Sequence, residues 1–174
     1  MGLTLTVGRP RDVFTSVYAP KVGAILEREY PGALGSAAAK TKPWRTDEMP
    51  WSGWAELQAK VKKAIGRQKP FHFGSVEAWC GVFLPLKIEP AELKLFRGDP
   101  LLQVASTLEL NRELREYARR VRLPTANSQL AARYEKCLDD DEEMTTNFHM
   151  LAYLQLMQAV NQSLSRKQPL WVVK

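Results

Sequence analysis

The sequence predicts one α+β domain over residues 1–174, predominantly helical, with a small sheet that includes an N-terminal strand, a middle strand over 76–89 and a C-terminal strand. Three observations carry that expectation. Leu3, Leu5 and Val7 alternate with threonines at a period of two, the apolar series from Val76 to Ile88 does the same, and Leu170–Val173 is rich in β-formers. Between those stretches, apolar residues recur at three- and four-residue steps, the period of helices with one face inward. The composition, 45% hydrophobic and 25% charged over 174 residues, suits a globular chain able to bury a core, and no repeat, low-complexity tract or linker divides it.

Each element has its own signal. After the first strand, Asp12 is placed to cap a helix with Phe14, Val17, Tyr18, Ile25 and Leu26 on its apolar side. Pro20 interrupts that helix, so a kink or a second piece starting near Pro20 is expected, with Tyr30, Pro31 and Gly32 as the stop. Residues 33–43 read as loop. Ser52 is the expected N-cap of the next helix, whose inward stripe is Trp54, Leu57, Val61, Ala64 and Ile65. In the strand over 76–89, the face carrying Val76, Cys80, Val82 and Leu84 is expected to be core, with Trp79 and Phe83 on the other. Pro85 removes a ladder hydrogen bond, which predicts an edge position or a bulge.

Asp99 and Pro100 predict a helix start running through Leu101, Leu102, Val104 and Ala105. Ser106 to Glu109 has the spacing of a capping box, so a second helix start falls there, continuing through Leu110, Leu114, Tyr117 and Val121. Leu130, Tyr134, Cys137 and Leu138 mark a short helix. The acidic run Asp139–Glu143 is unfavourable at a helix C-terminus and favourable at an N-terminus, so it reads as the start of the last helix. That helix is apolar on almost every side from Phe148 to Val160, which predicts burial, and Pro169 ends it.

The function classes narrow by what is missing. Neither a P-loop nor a dinucleotide fingerprint is present, which sets nucleotide hydrolysis aside. Cys80 follows His72, but on an apolar strand face, where it reads as a small buried hydrophobe rather than a nucleophile. His149, Cys137 and the acidic run lack metal-ligand spacing, so no metal, cofactor or catalytic residue is expected. Met1-Gly2 with Thr6 meets a minimal myristoylation spacing, yet Leu3, Leu5 and Val7 explain the segment as a strand. No secretory signal or membrane-length apolar run occurs, and two cysteines without metal spacing fit a cytoplasmic protein with reduced thiols.

A net charge of +6 and a pI near 9.4 favour acidic partners. Two basic clusters supply candidate contacts to phosphate or to an acidic protein face: Lys60, Lys63 and Arg67, and the helical series Arg112, Arg115 and Arg119. Glu109, Glu113 and Glu116 sit among those arginines, an arrangement that favours intrahelical pairs on a solvated face. The stretch KPWRTDEMPWSGW is the other candidate. Trp54 joins the apolar stripe of its helix, whereas Trp44 and Trp51 each follow a proline in a loop expected to be stiff. Trp44, Arg45 and Trp51 are therefore the candidate partner-binding residues, the alternative being that both rings fold back to cover the core.

The leading expectation is a non-catalytic protein that binds another protein, with nucleic-acid binding through the basic helix faces second and an enzyme third. In architecture the chain is similar to bacterial or phage accessory proteins such as toxin-neutralising immunity proteins, a likeness carried by no motif.

Overall fold

The computed structural model describes residues 2–35, 42–66, 70–77, 81–95, 101–140 and 147–173. In chain order the elements are β1 (Gly2–Val7), α1 (Ala19–Glu29), β2 (Trp44–Arg45), β3 (Met49–Pro50), α2 (Trp51–Ile65) and β4 (Gly81–Leu84). They continue with β5 (Ala91–Leu93), β6 (Leu102–Ser106), α3 (Thr107–Val121), α4 (Asn127–Leu138), α5 (Phe148–Arg166) and β7 (Leu170–Val173). Short 3-10 turns lie at Pro10–Asp12 and Phe73–Ser75. The sheet is mixed, with the order β2–β1–β7–β4–β6–β5, and β3 pairs with β1 beyond β2. The first and last strands are thus antiparallel neighbours, Leu5 opposite Val172, and β4 runs parallel to β6.

Both faces of this sheet are covered, which explains why its strands bury residues of both parities. Leu3, Leu5, Val7, Phe83, Ala105, Leu170 and Val172 face one core, which α2, α3, α4 and α5 fill. Val82, Leu84, Leu102, Val104 and Trp171 face a second, smaller core closed by Val22 and Leu26 of α1. Trp171 is anchored there by its indole N–H, which donates to Gly8 O at 3.0 Å. Across the main core, Trp54 is fully buried and meets Phe73 edge to face at 4.9 Å. Where α2 passes the start of α5, Gly53 admits the other backbone: a Cβ there would lie 2.5 Å from Phe148 O.

Several expectations are met. β1 and β7 are strands, Ser106 caps α3 by accepting from Glu109 N at 3.3 Å, and α5 is buried along most of its length. A helix does begin beside Pro20, which occupies its first turn.

Five expectations are corrected. Val17 and Tyr18 lie before α1 and are 64% and 45% exposed, because Thr15–Tyr18 forms a turn rather than helix. The cap of α2 is Pro50, not Ser52, so Trp51 opens the helix. The middle strand is four residues long and lies inside the sheet between β7 and β6; Pro85 falls just after it and ends it, and Phe83 is core as fully as Val82. Residues 102–106 form strand β6 rather than helix, paired on both sides. Asp139 is the C-cap of α4, and α5 begins at Phe148 after its N-cap Asn147. Cys80, Trp79, Asp99, Pro100 and Asp141–Glu143 lie outside the described residues.

Candidate functional site

The segment 44–50 is built as a broken edge strand. Thr6 and Val7 pair with Arg45 and Trp44, while Gly2 and Leu3 pair with Pro50 and Met49. Between these pairings Thr46, Asp47 and Glu48 oppose only Thr4 and Leu5, so one extra residue is accommodated as a bulge. Thr46 holds the bulge's near side: its N–H donates to Leu5 O at 3.0 Å and its Oγ1 accepts from Leu5 N at 2.9 Å. Asp47 and Glu48 are thereby pushed outward and exposed. Pro43 and Pro50 flank this edge, where a missing N–H does no harm to the ladder.

Asp47 turns toward α4. The Tyr134 hydroxyl donates to Asp47 Oδ2 at 3.0 Å and accepts from Gln155 Nε2, on α5, at 2.7 Å. A phenol has one proton and Asp47 offers only acceptors when ionised, so this chain of bonds has a fixed direction. Burial raises the Tyr134 pKa; the Gln155 amide opposes that rise and Asp47 adds to it. The hydroxyl therefore stays protonated at neutral pH. Gln155 is 5% exposed, and with its amide nitrogen on Tyr134 its Oε1 has no hydrogen-bond partner among the described residues.

Two adjoining hollows open around these three side chains. One, of about 240 Å³, is lined by Trp44, Arg45, Thr46, Asp47, Tyr134, Gln155 and Gln158. The other, of about 340 Å³, is more apolar and adds Met49, Pro50, Leu138, Phe148 and Leu151. Asp47, Tyr134 and Gln155 belong to both. Trp51 follows Pro50 directly and is 48% exposed, and Leu138 is 43% exposed.

The sequence-predicted residues are divided by this geometry. Trp44 is half-buried, packs against the main core and walls the polar hollow. Arg45 is exposed, with Nη2 donating to Asp12 O at 2.6 Å. Trp44 and Trp51 lie in a short strand and a helix start, not in a free loop.

The basic clusters are elsewhere and largely engaged. Lys60 lies 3.4 Å from Glu56, and Arg112 lies 2.8 Å from Glu109. Arg119 reaches both carboxylate oxygens of Glu116, and those contacts with Arg120 and Arg119 hold the Glu116 pKa below its ordinary value. Arg115 donates to Asn111 Oδ1 at 3.0 Å and Thr125 Oγ1 at 3.2 Å. Lys63 is exposed on α2, and Arg67 lies outside the described residues.

Glu113 corrects the reading of a solvated charge face. It is 2% exposed, and its two oxygens accept from His72 N at 2.8 Å and Phe73 N at 2.9 Å. Burial pushes its pKa up to about 7 against the pull of those two N–H groups. His72 is buried as well, and its Nδ1 accepts from Ser106 N at 3.3 Å. Burial lowers its pKa first, with Glu109 and Glu89 opposing. His149 Nδ1 lies 3.1 Å from Glu56 Oε1 without hydrogen-bond alignment, and burial lowers its pKa against that carboxylate. Neither histidine lines either hollow. Among the described residues no three His, Cys, Asp or Glu side chains converge, and no helix is long and apolar enough to cross a membrane.

Sequence reasoning passed over Asp47, Tyr134 and Gln155. One signal was available: Gln155 is a polar residue within LAYLQLMQAV, the most apolar helical stretch in the chain. A buried amide in such a place needs partners, and its neighbours are where to look for a site. No protein-family model, no curated protein and no solved structure matches this chain.

Proposed function

We propose that the chain is a non-catalytic binding protein that engages a partner protein through the cleft between the 44–50 edge, α4 and α5, with the exposed Trp51, next to Pro50 of that edge, taking part. The observation that carries this reading is an apolar hollow that is lined by Pro50, the sequence neighbour of the exposed Trp51, and that shares with the polar hollow of Trp44 a buried side chain, Gln155, whose amide oxygen is unmatched. Exposed aromatic rings beside a hollow are the usual anchors of protein interfaces. A buried acceptor without a donor is costly alone and favours association with a group that supplies one. The immunity-type inhibitor is the specific form of this proposal, a protein whose activity is stoichiometric occupation of another. Cytoplasmic action is part of the same proposal and is supported by the burial of Cys137 in the core.

The test is a photo-crosslinking amino acid at position 51, compared with the same group at Leu101, which is 44% exposed beside strand β6 near the opposite edge of the sheet. The proposal expects one discrete polypeptide adduct at 51 and none at 101 when the chain is expressed in its native host. No adduct, or the same adducts at both positions, contradicts it.

A further inference from the structure

We propose that the cleft recognises a cationic side chain of its partner, an arginine, with the guanidinium held between Gln155 and Asp47. This inference rests on the partner-protein reading and names the chemistry that reading leaves open.

The donor–acceptor sense of the site is set by one hydroxyl. The Tyr134 O–H donates to Asp47 Oδ2 while its oxygen accepts from Gln155 Nε2, so the Gln155 amide cannot turn over without losing that bond. Its Oε1 is left as an acceptor with no donor among the described residues; the side chain lines both hollows but this atom is covered, so an incoming donor reaches it by displacing what lies over it. Asp47, whose Oδ2 lies on the same hydroxyl, adds a carboxylate at the exposed side. The unmet demand is for hydrogen-bond donors, and a positive charge is favoured over a neutral donor. Among the described residues lining the two hollows, Asp47 and Glu48 are the acids and Arg45 is the only cation, already donating to Asp12 O.

The shape selects a long side chain over a compact ammonium. The apolar hollow of Met49, Pro50, Leu138, Phe148 and Leu151 leads to Gln155 and Asp47. An arginine lays its methylene stem along such a surface while its head reaches polar groups at the end. The planar guanidinium carries five N–H donors, enough to serve a carboxylate and an amide oxygen together. Trp44 also lines the polar hollow, so an aromatic ring is among its walls, the kind of group that attracts a cation.

The test is a titration of the isotope-labelled chain with N-acetyl-arginine amide, followed by NMR at the assigned Gln155 side-chain amide and Trp44 indole. N-acetyl-citrulline amide, which keeps the shape and loses the charge, is the control. Arginine should give saturable shifts at both groups with a Kd of about 1–10 mM, as suits a single side chain. Citrulline should bind at least about fivefold more weakly, since it lacks the charge-assisted bond. Asp47→Asn, at an exposed position, should weaken arginine by a similar factor, and Gln155→Met should abolish the Trp44 response.

Equal shifts from arginine and citrulline, shifts that do not saturate, or full binding to Asp47→Asn overturn the inference. A crosslinked partner at position 51 without any arginine response removes the cationic reading alone. An arginine response without a crosslinked partner removes the partner-protein reading and leaves the site's chemistry standing.

Discussion

Glu113 makes folding stability depend on pH in a way that can be isolated. Its carboxyl is buried on α3 and its pKa is raised from 4.5 to about 7. A raised value in the folded state means that the native protein binds the proton more tightly than the unfolded chain. The contribution is fully present below pH 4.5 and is lost as pH rises through 7. At about 1.4 kcal/mol per tenfold change in proton affinity, the whole displacement is worth about 3 kcal/mol. Glu113→Gln removes the titration while keeping one acceptor for the two N–H groups of His72 and Phe73.

Urea unfolding of both proteins at half-unit steps from pH 4 to pH 8.5 measures the difference between their stabilities. Groups titrating in both, including His149, cancel in that difference. The advantage of the parent over Glu113→Gln should shrink by about 3 kcal/mol across the range, most of it between pH 5 and pH 7.5. Parallel curves would refute the reasoning. They would mean that the two N–H donors fully offset the burial of the charge.

Four further substitutions probe the fold. Gly53→Ala gains about 1 kcal/mol in helix propensity but sets a methyl 2.5 Å from Phe148 O, so a net loss of about 1–3 kcal/mol is expected in urea unfolding. Trp54→Ala, at a fully buried ring, should cost about 3–5 kcal/mol. Trp51→Ala, at a residue 48% exposed, should cost less than about 1 kcal/mol, and equal losses at positions 51 and 54 would contradict their assignment to surface and core. Ser106→Ala removes the bonds from Glu109 N and to Leu86 O, for about 1–2 kcal/mol and faster hydrogen exchange at the Glu109 amide.

The elements legible in the sequence are those whose burial follows a single period. β1 alternates, α2 carries Trp54, Leu57, Val61 and Ile65 at helical steps, and α5 is apolar almost all round. β6 is not legible because Leu101, Leu102, Val104 and Ala105 form a short apolar run that fits a helix or a strand buried on both faces. Only its pairing with β4 and β5 decides between them. Glu113 lies three residues after Leu110 and four before Tyr117, on the inward stripe, so its burial was implied by the same period that identified α3. Its charge hid that.

The cleft was less accessible for a physical reason. Tyr134 and Asp47 meet across 87 residues of sequence, through a bulge whose extra residue is defined only by pairing with β1. Trp44 and Trp51 stand out in the sequence, but it does not show that Trp44 walls the cleft while Trp51 opens a helix directly after Pro50, which lines it.

The claim that this cleft is the interface is tested most directly by the affinity of the polypeptide crosslinked at position 51, purified and titrated against the parent chain, Trp51→Ala and Asp47→Asn. Both substitutions should raise Kd about tenfold or more, a loss of about 1.4 kcal/mol or greater, while unfolding stability stays within about 1 kcal/mol of the parent. An unchanged Kd for both variants would place the partner on another surface.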